Sequence, residues 1–242
     1  QTSAAGGKLL ELAANFDMFK LLGQHLYQVT PTIRSGNLPN IYCGILTVFL
    51  VPVFGMCMAI PARRRVAYIG LVFVLGFSLI INQFDLIWHG LHAPNDLPYR
   101  FSFIYSFMLL LIAHEVLMHL DKIKLKALVT SLLGIVAYLM MHERLLQMED
   151  KISKIDGAST TLYDTHTIYF SLLLVAAYFA ISLLISKRYM LARVGYCLLL
   201  VVVAAEMVTN ASQTLKTLDG NEYYTKHEHY VDNDTTRAIQ KA

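Results

Sequence analysis

The stretch Phe84–Phe103, FDLIWHGLHAPNDLPYRFSF, holds two His, two Asp, one Arg and the only Trp of the chain, between two long apolar runs. Whether these polar groups belong to a soluble core or to a membrane surface decides the fold. Around them, hydrophobic residues make up 56% of the 242 residues and charged residues 15%, with a mean hydropathy of +0.50. Soluble domains carry about a quarter charged residues. The apolar residues are also gathered in blocks, and a membrane span needs roughly 20 of them in a row. Six blocks are that long: Ile41–Ile60, Val66–Ile87, Phe101–Leu120, Leu125 to about Leu146, about Tyr163–Ile185 and about Met190–Thr209. Each is expected to be a helix, because a chain in lipid must satisfy its own backbone hydrogen bonds. They are too long, and alternate too little, to be strands of a β-barrel. They also lack the polar stripe of helices in a soluble bundle. The fold class that follows is all-α, a polytopic membrane protein with about six transmembrane helices.

Lys and Arg in the short loops set the orientation. Arg63, Arg64 and Arg65 follow the first block; Lys122, Lys124 and Lys126 follow the third; Lys187, Arg188 and Arg193 follow the fifth. The loop His89–Arg100 carries a single basic residue at its edge. The expectation is that the three basic loops are cytoplasmic and both ends of the chain extracytoplasmic. Residues 1–40 then form an outer segment, 41–209 the membrane region and 210–242 the start of an outer domain. Within the first of these, Gly7–Leu26 spaces Leu9, Leu10, Ala13, Phe16, Phe19, Leu22 and Leu26 as an amphipathic helix would. The chain opens on Gln1 with no initiator Met, as an internal piece of a longer protein would. A net charge of +3 with no basic patch interleaved with aromatics argues against a nucleic-acid partner.

Familiar catalytic and metal motifs fail on spacing. Cys43, Cys57 and Cys197 all lie in apolar runs, without a CxxC pair. In AHEVLMH, His114 and His119 are five residues apart, and point roughly 140° away from each other on a helix rather than sharing the face a zinc motif needs. His114 and Glu115 have two readings, an interhelical hydrogen bond or an intramembrane proton relay. No metal site is expected. Asn210 and Asn233 match the glycosylation sequon, which matters only in a eukaryotic secretory protein.

With this topology one set of polar residues gathers at the outer face. Asn40 and Tyr42 begin the first block; Asp85 and Trp88 end the second; His89, His92, Asp96 and Arg100 lie in the loop. His142, Glu143 and Arg144 close the fourth block, Asp164 and His166 open the fifth, and Glu206 and Asn210 end the sixth. Ordinary interfacial solvation explains such residues singly, and Trp88, Tyr99 and Tyr105 suit an aromatic belt. Asp85 and Glu206 differ, because each interrupts an apolar run about a turn before its end and needs a partner, for which Arg100 and Arg144 are candidates. Arg100 also sits where the third span begins. Free N–H groups at a helix start, together with a guanidinium fork, suit a phosphate.

LPNIYCGILTVFLVPVF (Leu38–Phe54), LIWHGLHAPNDLPYRFSFIYSFMLLL (Leu86–Leu111) and AAEMVTNA (Ala204–Ala211) resemble the bacterial YfhO family. The most specific piece is Pro94, Asn95, Pro98, Tyr99, Arg100, Phe101, Ser102 and Phe103. The resemblance implies a large polytopic protein of Gram-positive bacteria, a GT-C type glycosyltransferase. It implies transfer of a sugar from a polyprenyl-phosphate carrier, on the outer face, to a cell-surface polymer such as lipoteichoic or wall teichoic acid. Other cell-envelope glycosylation proteins are implied partners. The resemblance carries over no catalytic base, since GT-C enzymes keep theirs in a first outer loop, which is expected upstream of this chain; Asp85, Asp96 and Glu206 remain as candidate carboxylates. Arg100, Tyr99, His89, His92, Asn95, Asn40, Tyr42 and Arg144 are the candidates for binding the substrate. A transporter or flippase for a lipid-linked or anionic substrate is the alternative, with Pro52, Gly55, Gly70 and Gly76 as possible helix breaks. A non-catalytic scaffold is a third reading.

Overall fold

A computed structural model describes residues 13–29, 31, 38–91, 99–155 and 165–219, with 146–155, 165 and 217–219 described by their backbone alone. Among the described residues the regular structure is helical: α1 (Met18–Gly23), α2 (Ile45–Met56), α3 (Ala62–Ile80), α4 (Asn82–Trp88), α5 (Ser102–Leu117), a 3-10 turn (Leu120–Lys122), α6 (Leu125–Ile155), α7 (Thr165–Ser186) and α8 (Ala192–Asp219). Three stretches among the described residues are long and apolar enough to cross a membrane: Leu125–Leu145, His166–Ser186 and Ala192–Lys216. The chain is thus a helical membrane protein. α2 and α5 are apolar but shorter, at 12 and 16 residues, or about 18 and 24 Å at 1.5 Å per residue.

α2 is the hub and packs on α3, α5, α6 and α7. Phe49, Leu50, Val53 and Phe54 are fully buried there, as expected of a helix that is apolar all round. The block Ile41–Ile60 is only partly helical, because residues 41–44 stay outside the helix and Gly44 enters it at φ +95°, a conformation that glycine adopts without strain. α2 runs through Pro52 and Gly55, and α3 through Gly70 and Gly76. The sites expected to interrupt helices therefore lie inside unbroken ones.

The break falls elsewhere. The block Val66–Ile87 divides at Ile81, whose extended backbone (φ −95°, ψ 123°) separates α3 from α4. Backbone groups freed at this break need partners in an apolar setting. Residues 13–15 supply them: Asn15 N–H donates to Ile80 O at 2.7 Å, and Asn82 N–H to Ala13 O at 3.1 Å. This role overrides the amphipathic pattern over residues 13–17, while residues 7–12 of the expected helix lie outside the described ones. A helix starts at Met18, after Asp17 caps it by accepting from Lys20 N–H at 2.8 Å. α8, in turn, continues past Asn210 to Asp219, so the boundary expected at 209/210 lies inside a helix.

The three basic loops share one end of the bundle. Arg64 at the start of α3 pairs with Glu115 at the end of α5 at 3.0 Å. Arg188 approaches Asp121 at 3.8 Å, Ser186 Oγ donates to Ile123 O at 2.8 Å, and Tyr196 O–H donates to Leu117 O at 2.8 Å. Glu115 thus has the interhelical bonding role.

Candidate functional site

At the opposite end the structure forms two clusters around the two acids singled out in the sequence. Glu206 on α8 is buried, with 2% of its surface exposed. Its Oε1 accepts from the Tyr42 hydroxyl and from Ile45 N–H at 2.7 Å, and its Oε2 accepts from the Tyr178 hydroxyl. Ile45 is the first residue of α2, where N–H groups lack intrahelical partners and the dipole favours an anion. Glu206 therefore caps α2 from α8 and is bound from α7 as well. Beside it Tyr27 O–H donates to Thr209 Oγ1 at 2.7 Å, and Gln28 N–H to Asn210 Oδ1 at 3.0 Å. Neither Arg100 nor Arg144 is the partner of Glu206. Two phenols and a backbone N–H satisfy it instead, so Tyr42 stands in a helix contact rather than open to a substrate.

The second cluster is looser. Asp85, 6% exposed, lies on the short helix α4 beyond the Ile81 break. Its Oδ1 is 3.3 Å from His89 Nδ1 and accepts from Tyr99 N–H at 3.4 Å. Among the described residues its partners are thus His89 and a backbone N–H, again no guanidinium. His89 Nδ1 is also 2.8 Å from the Asp85 carbonyl oxygen. With two oxygens facing Nδ1, the proton belongs on that nitrogen and the lone pair on Nε2. Among the described residues Nε2 has no hydrogen-bond partner. A carboxylate that orients an imidazole with its far nitrogen uncommitted is an arrangement able to take a proton from a hydroxyl and, once protonated, to donate to an anion.

The chain around the pair is held in place. Trp88 stacks on Phe101 with centroids 4.9 Å apart and planes 13° from parallel, tying α4 to the start of α5. Tyr99 has a left-handed backbone, φ +61°, which is uncommon for a residue with a side chain. Its buried ring meets Phe16 edge-on at 5.6 Å. Burial, and then the charge of Asp85, push its phenol up to about 12. Tyr99 therefore serves as a wall, not as a lip. Arg100 is exposed two residues before α5.

Of the other candidates, Asn40 is exposed before Tyr42, and Arg144 is exposed on α6. His92, Asn95, Asp96 and Asp164 lie outside the described residues. Ile41, next to Tyr42 in the chain, belongs to the same buried apolar cluster as Tyr99, Phe101 and Tyr105, and its carbonyl accepts from Ser106 Oγ at 3.3 Å. Sequence reasoning missed Tyr178, Tyr27 and Thr209. The signal for Tyr178 was a lone hydroxyl in the middle of an apolar run, which a buried site makes useful only when an acceptor faces it.

Residues 5–241 match the family described as bacterial membrane protein YfhO. No curated protein and no solved structure matches the chain.

Proposed function

The chain belongs to the YfhO family of bacterial membrane proteins, and from that premise we propose that it forms part of a GT-C type glycosyltransferase. The reaction moves a sugar from a polyprenyl-phosphate carrier to a cell-surface polymer, such as lipoteichoic or wall teichoic acid, on the outer face. The observation that supports this reading is the Asp85–His89 pair, with His89 Nε2 uncommitted, beside the exposed Arg100. A sugar phosphate needs a cation for its oxygens, and a sugar acceptor needs a group that receives the hydroxyl proton. Arg100 supplies the first and His89, oriented by Asp85, the second.

In the same proposal α2, α3 and α5 supply three crossings beside α6, α7 and α8. Positive-inside asymmetry puts the end with Arg63, Lys122 and Lys187 in the cytoplasm and the Asp85 end outside. Cysteines placed at Lys187 and Asn40 then react only from inside and only from outside, respectively. The reverse pattern would reject an external reaction.

The intact protein in liposomes, given a polyprenyl-phosphate sugar, is expected to transfer the sugar to purified teichoic acid. Arg100→Ala should weaken carrier binding roughly ten- to a hundredfold, one charge-assisted contact of about 1.5–3 kcal/mol. Arg100→Lys should recover part of it, keeping the charge without the fork. Absence of transfer by the intact protein sinks the reading. Unchanged carrier binding in a destabilised Arg100→Ala leaves Arg100 as scaffolding.

A further inference from the structure

A cavity of about 420 Å³ opens between α1, α2, α3, α5 and α6. That volume lies in the range of ligand pockets, roughly 300–1,000 Å³. Its walls are almost entirely apolar and include Met18, Pro52, Phe77 and Gly134. Met18 and Phe77 are also 46% and 47% exposed, so the mouth is continuous with the apolar outer surface of the bundle. In a membrane protein that surface meets hydrocarbon.

One wall group does not suit a cavity meant only for hydrocarbon. His25, 5% exposed, lines the space; its Nε2 is 3.1 Å from the Tyr105 hydroxyl, and its Nδ1 has no hydrogen-bond partner among the described residues. A buried polar atom left unpaired costs about 1–3 kcal/mol. The Tyr105 hydroxyl has no other acceptor among the described residues, and assigning its proton to Nε2 leaves Nδ1 as an N–H donor that faces no acceptor. Burial also lowers the pKa of His25 to about 4, so the ring is neutral at neutral pH and exerts no charge attraction on a phosphate. Tyr105 is the fourth residue of α5. His25 therefore sits about one turn inside the polar end of the bundle, and in a bilayer whose hydrocarbon begins at that end this is where lipid esters would lie.

We propose that this cavity holds one acyl chain of a membrane glycerolipid, with an ester carbonyl accepting a hydrogen bond from His25 Nδ1. The site is separate from the Asp85–His89 pair, and the proposal rests on membrane location alone, not on glycosyl transfer. A neutral donor in an apolar slot selects an uncharged acceptor on a long chain, which favours an ester over a carrier phosphate.

Glycine positions provide the test. A Cβ at Gly134 meets nothing within 4 Å although Gly134 lines the cavity, and a Cβ at Gly70, away from it, also meets nothing. Gly134→Phe thus starts a bulky side chain from open space on the cavity wall, and Gly70→Phe is the matched control. The intact protein is placed in phosphatidylglycerol nanodiscs doped with phosphatidylglycerol bearing a diazirine on its acyl chain. After illumination, adducts are mapped by mass spectrometry. A parallel set carries a diazirine polyprenyl phosphate. The acyl probe is expected to label α1 and α6 around the cavity in the wild type and in Gly70→Phe, and to lose that labelling in Gly134→Phe. His25→Leu should weaken it about fivefold, one neutral hydrogen bond. Gly134→Leu, a smaller change, should act in the same direction if the Phe variant does not fold. Equal labelling of wild type and Gly134 variants overturns the proposal. So does labelling of the cavity by the polyprenyl probe alone, or adducts confined to the outer helix faces, which would mean another part of the protein fills the space.

Discussion

Glu206 and Asp85 look alike in sequence, each an acid about one turn from the end of an apolar run, and they differ in how fully the fold answers them. Glu206 takes three donors from three other points of the chain and offers little to a ligand. Asp85 shares one oxygen between an imidazole and a long backbone contact, and what it orients, His89, keeps one nitrogen uncommitted. Both acids are buried, so burial does not separate them. The separation comes from counting acceptor sites against donors. A satisfied carboxylate stabilises a helix junction, and in the proposed function a carboxylate spent on orienting a histidine serves the proton transfer.

The sharpest way to break this contrast is Glu206→Ala. Three donors would lose their acceptor, at about 1–3 kcal/mol each with partial relief by rotation of the hydroxyls, for a loss of roughly 3–5 kcal/mol. Thermal melting in detergent reads it. An unaltered melting temperature with lost transfer would make Glu206 a functional acid and dissolve the comparison.

A third buried ionisable group extends the comparison to pH. His25 is lowered from 6.5 to about 4 by burial. The unfolded chain then binds the proton first, so the stability due to the neutral ring is present above pH 6.5 and is lost as pH falls towards 4. The loss is on the order of 3 kcal/mol. His25→Leu should flatten the melting profile across that window. A profile of equal slope in both proteins would show that His25 is hydrated.

Asp85→Asn keeps the shape and the acceptor for Tyr99 N–H while removing the charge behind His89. Transfer should fall roughly tenfold to a hundredfold, less than the loss of a general base itself, while melting changes by less than about 1 kcal/mol. His89→Gln should lower transfer at least as much. If Asp85→Asn melts early and transfers normally, Asp85 is a second latch. The smallest effect belongs to the other end: Arg64→Ala breaks a half-exposed pair with Glu115 and should cost about 0–1 kcal/mol, fading in high salt.

Much of the molecule was legible in its residues. The apolar blocks became helices, three of them long enough to cross a membrane, and the family follows from the chain itself. The basic loops, alternate in sequence, meet at one end through Arg64–Glu115 and Arg188–Asp121. Less legible was Gly7–Leu26. Its apolar spacing has the period of a helix, yet residues 13–15 are used to satisfy the backbone opened at Ile81. The same holds for Pro52, which reads as a break but lies within α2, a helix surrounded by its neighbours.

By itself the sequence determined what depends on local order: helical class, membrane habit, the charge asymmetry of the loops and the family. Hydropathy and period are properties of neighbouring residues, and a bilayer acts on them segment by segment. Only the tertiary structure decided which acid is closed and which is poised. The donors to Glu206 come from Tyr178, Ile45 and Tyr42, 28, 161 and 164 residues away in the chain, and Asp85 meets Tyr99 across 14. A hydrogen bond acts over about 3 Å in space, so whether a carboxylate is satisfied depends on which helices pack beside it.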